Sequence, residues 1–130
     1  MLSLAPHARL FLTLGAVSAM LSVVLGAFGA HALRGMLTPE LLAVYQTGTQ
    51  YQFYHSLGIL LVGILCVVLR NQSGFLWAGW LMFVGIVLFS GSLYALSLTG
   101  IRVLGAITPL GGVAFIAGWA TLAVTVFRKA

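Results

Sequence analysis

The sequence predicts an all-α membrane protein with four transmembrane helices and a short interfacial helix between the first and second spans. Three observations carry that expectation. The 130 residues are 62% hydrophobic and 5% charged, with a mean hydropathy of +1.15, whereas a soluble domain carries about 25% charged residues. Four apolar segments offer length enough to cross a hydrocarbon core of about 30 Å. The cations stand singly between those segments, except for Arg128-Lys129. A net charge of +5 without a basic run or stripe excludes a nucleic-acid partner and fits the loops of a membrane protein. The length gives one domain over residues 1–130.

The first span is read over residues 10–30. Arg9 ahead of an apolar run, and Ala30-His31-Ala32 after it, imitate a secretory signal, but the run is longer than the ~7–15 residues of a signal core. As a helix it covers about 31 Å. Ser18, Ser22, Gly26 and Ala30 recur at spacing four, a small-residue face on which helices approach closely in lipid. Thr38-Pro39-Glu40 is a helix start, with a capping threonine, proline at the first position and an acid in the first turn. It opens the interfacial helix, and Gly48 between two threonines is the expected kink before the second span.

The second span, about 53–69, needs Phe53 to Ser56 to reach across, because the uninterrupted apolar run covers only Leu57–Leu69. Cys66 within it reads as a small buried apolar residue. A polar turn over 70–74 leads to the third span, 75–98, which opens with Trp77 and Trp80 as interface anchors. Its second half becomes small and hydroxylated at Ser90-Gly91-Ser92-Leu93-Tyr94-Ala95. A loop with Arg102 precedes Thr108-Pro109, a second cap-plus-proline start, and the fourth span, 109–127. Arg9, Arg70, Arg128 and Lys129 share one side, against Arg34 and Arg102 on the other. The positive-inside rule then puts both termini in the cytoplasm.

The unusual chemistry lies in Tyr45–His55, where three amides, two threonines, three tyrosines and a histidine stand in one stretch, just after Glu40, the only acid in the chain. Polar groups this dense beside a span must face water, a partner or one another. On the four-span topology the candidate ligand- or partner-binding residues are His31, Arg34, Glu40, Tyr45, Gln46, Gln50, Tyr51, Gln52, Tyr54, His55, Ser90, Ser92, Tyr94 and Arg102. All are expected in the half of the bundle away from the cytoplasm, with the cytoplasmic half plain apolar helix.

The motifs Gly26-Ala27-Phe28-Gly29-Ala30-His31-Ala32-Leu33, Tyr45-Gln46-Thr47, Tyr51-Gln52-Phe53-Tyr54-His55, Leu88-Phe89-Ser90-Gly91-Ser92-Leu93-Tyr94 and Thr108-Pro109-Leu110-Gly111-Gly112 occur in order along nearly the whole chain. Their order resembles the domain-of-unknown-function 423 family, small YgdD-like integral membrane proteins of bacteria with relatives in eukaryotes. The resemblance implies a multi-pass protein of the bacterial inner membrane. It implies no activity and supplies no catalytic residues.

Several functions are expected to compete. The first is a non-catalytic binding or assembly role. The polar cluster would take a lipid, a small molecule or a membrane partner, and the small-residue faces would join a homo-oligomer or a subunit of a larger complex. A lipid-facing groove favours it, and a flush, fully paired surface opposes it. The second is redox chemistry, with His31 and His55 at similar depth as axial haem ligands, or with a quinone bound there. The third is an oligomeric channel or small transporter, opposed by the want of ionisable residues at mid-membrane. Hydrolysis has little support. One carboxylate excludes a paired-acid mechanism, and Ser90 or Ser92 with His55 and Glu40 lacks a nucleophile elbow. His31, His55 and Glu40 have no metal-site spacing, so no catalytic or metal residue and no firm cofactor is assigned. Each polar residue also has a purely structural reading: His55 bonded to a backbone carbonyl one turn back, Glu40 paired with Arg34 or Arg102, and the serines bonded within or between helices.

Overall fold

The computed structural model describes residues 3–70 and 73–129, with the Lys129 side chain left out. Asn71 and Gln72, in the turn expected over 70–74, lie outside the described residues. Four long apolar helices make up the protein: α1 (Pro6–Leu33), α2 (Pro39–Val68), α3 (Ser73–Thr99) and α4 (Arg102–Arg128). No strand occurs among the described residues. The start of α1, the end of α2, the start of α3 and the end of α4 lie at one end of the bundle, here the terminal end. The α1–α2 and α3–α4 connections lie at the other, the loop end.

α1 begins with proline at its first positions and buries Ala8, Phe11, Gly15, Ser18, Ser22, Gly29 and Leu33. The alternating three- and four-residue steps are those of a seam between helices packed at a shallow angle. The expected spacing-four stripe therefore holds only in part. Ser18 and Ser22 face inward, whereas Ala30 is exposed, because a strict step of four drifts around the helix. The last turn, Gly29–Leu33, widens into π-helix.

α2 starts as the sequence indicates. The Leu41 N–H donates to Thr38 Oγ1 at 3.2 Å, Pro39 follows the cap and Glu40 sits in the first turn. The interfacial helix and its kink do not form, since Pro39–Val68 is one continuous 30-residue helix. Tertiary packing explains the correction. A Cβ at Gly48 would stand 2.8 Å from the Tyr94 ring, and the Gly48 carbonyl accepts a hydrogen bond from Ser90 Oγ at 2.7 Å. These contacts outweigh a helix penalty of about 1 kcal/mol for glycine. At about 45 Å, α2 is longer than the hydrocarbon core, so it tilts or projects.

α3 carries a π-helical turn at Ile86–Ser90. It ends at Gly100, whose φ of 74° is left-handed, the usual glycine stop. α4 opens with a 3₁₀ turn over Arg102–Ala106 before the α-helix begins at Thr108.

α2 packs against α1 on one side and against α3 on the other; α4 lies mainly on α3 and reaches α2 through Phe115 and Trp119. Toward the terminal end the filling is apolar: Phe11, Ile59, Val62, Phe75, Ala78, Met82 and Leu122 are buried. The helices approach closely there and just beyond. A Cβ at Gly15 would lie 2.9 Å from the Ser56 carbonyl and the Leu60 nitrogen.

Candidate functional site

The interior polar groups form a ladder that begins near the loop end and runs down to the middle of the bundle. Tyr45 OH donates to the Leu25 carbonyl at 2.6 Å, tying α2 to α1. Gln52 joins three helices. Its Nε2 donates to the Ser18 carbonyl of α1 at 3.0 Å, and its Oε1 accepts from Tyr94 OH of α3 at 2.6 Å. Ser56, one turn on, lies 2.7 Å from Ser18 Oγ and 2.6 Å from the Gln52 carbonyl. Its one proton goes to the carbonyl, which can only accept, so Ser18 supplies the proton between the two hydroxyls. Ser90 Oγ ties α3 to α2 at Gly48. Ser92 Oγ donates to the Phe89 carbonyl at 2.9 Å and meets Thr108 Oγ1 of α4 at 2.6 Å.

His55 is buried. Its Nδ1 donates to the Tyr51 carbonyl at 2.8 Å, one turn back. Its ring stacks on Phe115 with centroids 3.5 Å apart and 8° between planes, and Trp119 lies 5.9 Å away. Among the described residues, no buried side-chain nitrogen or oxygen lacks a hydrogen-bond partner.

The residues expected to act together separate into three groups. Tyr45, Gln52, His55, Ser90, Ser92 and Tyr94 come together inside. His31, Arg34, Glu40 and Arg102 are exposed at the loop end, where Arg102 Nη1 stands 3.9 Å from Glu40 Oε1 with both side chains largely in the open. Gln46, Gln50 and Tyr54 face outward on α2. Tyr51, at its edge, packs on Phe89 with centroids 4.6 Å apart.

The depth of the site differs from the expectation. Ser18 opposes Gln52 and Ser56, and Gly29 opposes Tyr45. That register sets His31 level with about residue 42 of α2, roughly 20 Å of helix rise from His55. Two axial imidazoles must flank one iron, and a single chain does not bring His31 and His55 that close. Glu40 and His55 are likewise about 22 Å apart along one helix, too far for a triad. His55 sits near the middle of α2 rather than at a span end.

Ser18, Ser22 and Ser56 entered the sequence reading only as packing or span-end residues, and Phe115 and Trp119 as anonymous apolar ones. The available signal was the i, i+4 pairing of Gln52 with Ser56 and of Ser18 with Ser22, which puts polar atoms on one helix face. The completed interior consists of amides and hydroxyls already spent on one another. It is chemistry suited to clamping helices rather than to transforming a substrate.

The outer face of α2 is different. Gln46, Gln50 and Tyr54, one turn apart, make no side-chain hydrogen bond among the described residues. Beside them a groove of about 240 Å³ is lined by Ser22, Val23, Thr49, Gln50, Phe53 and Tyr54. By the same register it lies level with the middle of the apolar run of α1.

Comparison with known sequences follows the same outline. The pattern of a family described as a protein of unknown function, DUF423, matches residues 25–112. The UPF0382 membrane protein YwdK of Bacillus subtilis is 53% identical over 120 residues, covering 92% of this chain and 98% of its own. The UPF0382 membrane protein SH2409 of Staphylococcus haemolyticus is 49% identical, with 92% and 97% covered, and SAB0533 of Staphylococcus aureus is 49% identical, with 94% and 98% covered. No solved structure matches the chain. A four-helix apolar bundle, a family pattern over most of its length and relatives near half identity together establish that this chain belongs to the DUF423 family of membrane proteins, whose relatives carry the name UPF0382.

Proposed function

We propose that the protein is a non-catalytic assembly component of the bacterial inner membrane, with both termini in the cytoplasm and the outer face of α2 as its docking surface. One observation carries the reading. Among the described residues, the Gln50 amide and the Tyr54 hydroxyl stand on a lipid-facing helix surface near mid-span without a side-chain hydrogen bond, although no buried polar side-chain atom lacks one. Polar groups at that depth usually pair, and interhelical bonds of this kind stabilise helix association by about 0.6–2 kcal/mol each. The groove at Ser22, Val23 and Phe53 gives a neighbouring helix room to approach.

Arg9, Arg70 and Arg128 at the terminal end, against Arg34 and Arg102 at the loop end, support the orientation. The apolar packing of Phe11, Ile59, Val62 and Phe75 favours a scaffold over a conduit within one copy.

The test compares wild type with the triple variant Gln46→Leu, Gln50→Leu, Tyr54→Phe, extracted in mild detergent and sized on native gels. The wild type is expected to run in a species larger than one chain, and the variant as a monomer that is folded and no less heat-stable. Equal sizes for the two would defeat the proposal.

A further inference from the structure

We infer that the partner on the outer face of α2 is a second copy of this chain, related by a two-fold axis along the membrane normal that passes beside Gln50. This rests on the docking surface proposed above and names its occupant. The chemistry of the stripe is the first argument. Glutamine amides and a tyrosine hydroxyl both donate and accept, so each of Gln46, Gln50 and Tyr54 can bond its own counterpart. No donor-only or acceptor-only group, and no charge, lies among these three positions to oppose like against like.

Depth is the second argument. Two copies inserted with the same topology hold equal residues at equal depth, so a two-fold axis along the normal sets Gln46 opposite Gln46, Gln50 opposite Gln50 and Tyr54 opposite Tyr54. This is the isologous pairing of a symmetric dimer.

The remaining surface supplies the third. Along the spans the large exposed side chains of the other helices are chiefly apolar, among them Val17, Met20 and Leu21 on α1, Val84 and Val87 on α3, and Val113, Ile116 and Phe127 on α4, and the exposed indoles of Trp77, Trp80 and Trp119 can donate but not accept. A polar stripe pressed against any of these would stay unpaired, in whole or in part, in lipid. Within a second copy, the same stripe offers both donors and acceptors at the same depth.

The approach is also sterically open. Gly26 of α1 follows Ser22 and Val23 by one turn on the groove side, and nothing lies within 4 Å of where its Cβ would stand. A neighbouring helix can close over that position.

The deciding experiment is site-specific photocrosslinking in native membranes. A benzophenone amino acid replaces Gln50, and in a control Ile116, while two differently tagged forms are co-expressed. A mixed-tag adduct of two chains from position 50, absent from position 116, is the expected result. A position-50 adduct with a different protein overturns the two-fold pairing but leaves the docking surface standing. Lipid adducts alone, or equal adducts from both positions, overturn both. The full-length Gln50→Leu chain is then expected to self-associate on the order of tenfold more weakly, through loss of the central amide pair. An unchanged association would remove Gln50 from the axis.

Discussion

The two faces of α2 carry the same kinds of side chain and treat them in opposite ways. Tyr45, Gln52 and Ser56 point inward, where each polar atom meets a carbonyl, hydroxyl or amide of another helix or of the preceding turn. Gln46, Gln50 and Tyr54 point outward and meet none among the described residues. Gln50 and Gln52 are two residues apart, which on an α-helix is about 200° of rotation. The difference between a clamp and a docking surface is thus angular phase rather than composition. An inward amide specifies how this chain folds, and an outward one is available to specify what the chain meets.

The sharpest way to break the comparison is a pair of glycine substitutions on α1. Gly15→Val pushes a side chain into the Ser56 carbonyl and Leu60 nitrogen of α2, backbone atoms that cannot swing away. A loss of about 3 kcal/mol is expected, read as a large drop in the detergent unfolding temperature. Gly26→Val, on the open side, is expected to leave that temperature unchanged.

The next effect contrasts the amides. Gln52→Leu removes the acceptor of Tyr94 OH and a donor to Ser18, at an expected cost of about 1–3 kcal/mol. Gln50→Leu is expected to leave the monomer as stable as wild type. Matching losses in the two variants, measured by thermal unfolding of the monomer, would mean the faces do not differ.

The smallest effect belongs to the loop end. Arg102 and Glu40 are 3.9 Å apart at 83% and 74% exposure, and such pairs contribute little. Glu40→Gln is expected to shift unfolding by no more than the error of the measurement, at low or high salt.

Much of this was legible in the sequence. Apolar run lengths gave four helices, and Thr38-Pro39-Glu40 marked an α-helix start because capping is local chemistry; Thr108-Pro109 also lies at a start, but Thr108 is the first residue of the α-helix rather than its cap and its hydroxyl meets Ser92 instead of a backbone N–H. The unbroken passage of α2 through Gly48 was not legible, since Tyr94 and Ser90, which hold it straight, are more than 40 residues away in the chain. Nor was depth: a cluster read at one end of the bundle runs to its middle because α2 is one long rod. Within the candidate site, residue type picked out Gln46, Gln50 and Gln52 alike. Only the register against α1 and α3 divides them into inner and outer.

That register also has a consequence in time. The bonds from Tyr45 to Leu25, from Gln52 to Ser18 and between Ser56 and Ser18 lie wholly within the first two helices. They can close as soon as α2 has left the ribosome and entered the bilayer. Tyr94, which completes Gln52, is 42 residues further on, about 2–8 seconds later at ordinary rates of synthesis. For that interval the newborn hairpin holds a vacant amide oxygen within the membrane, and the arrival of α3 fills it.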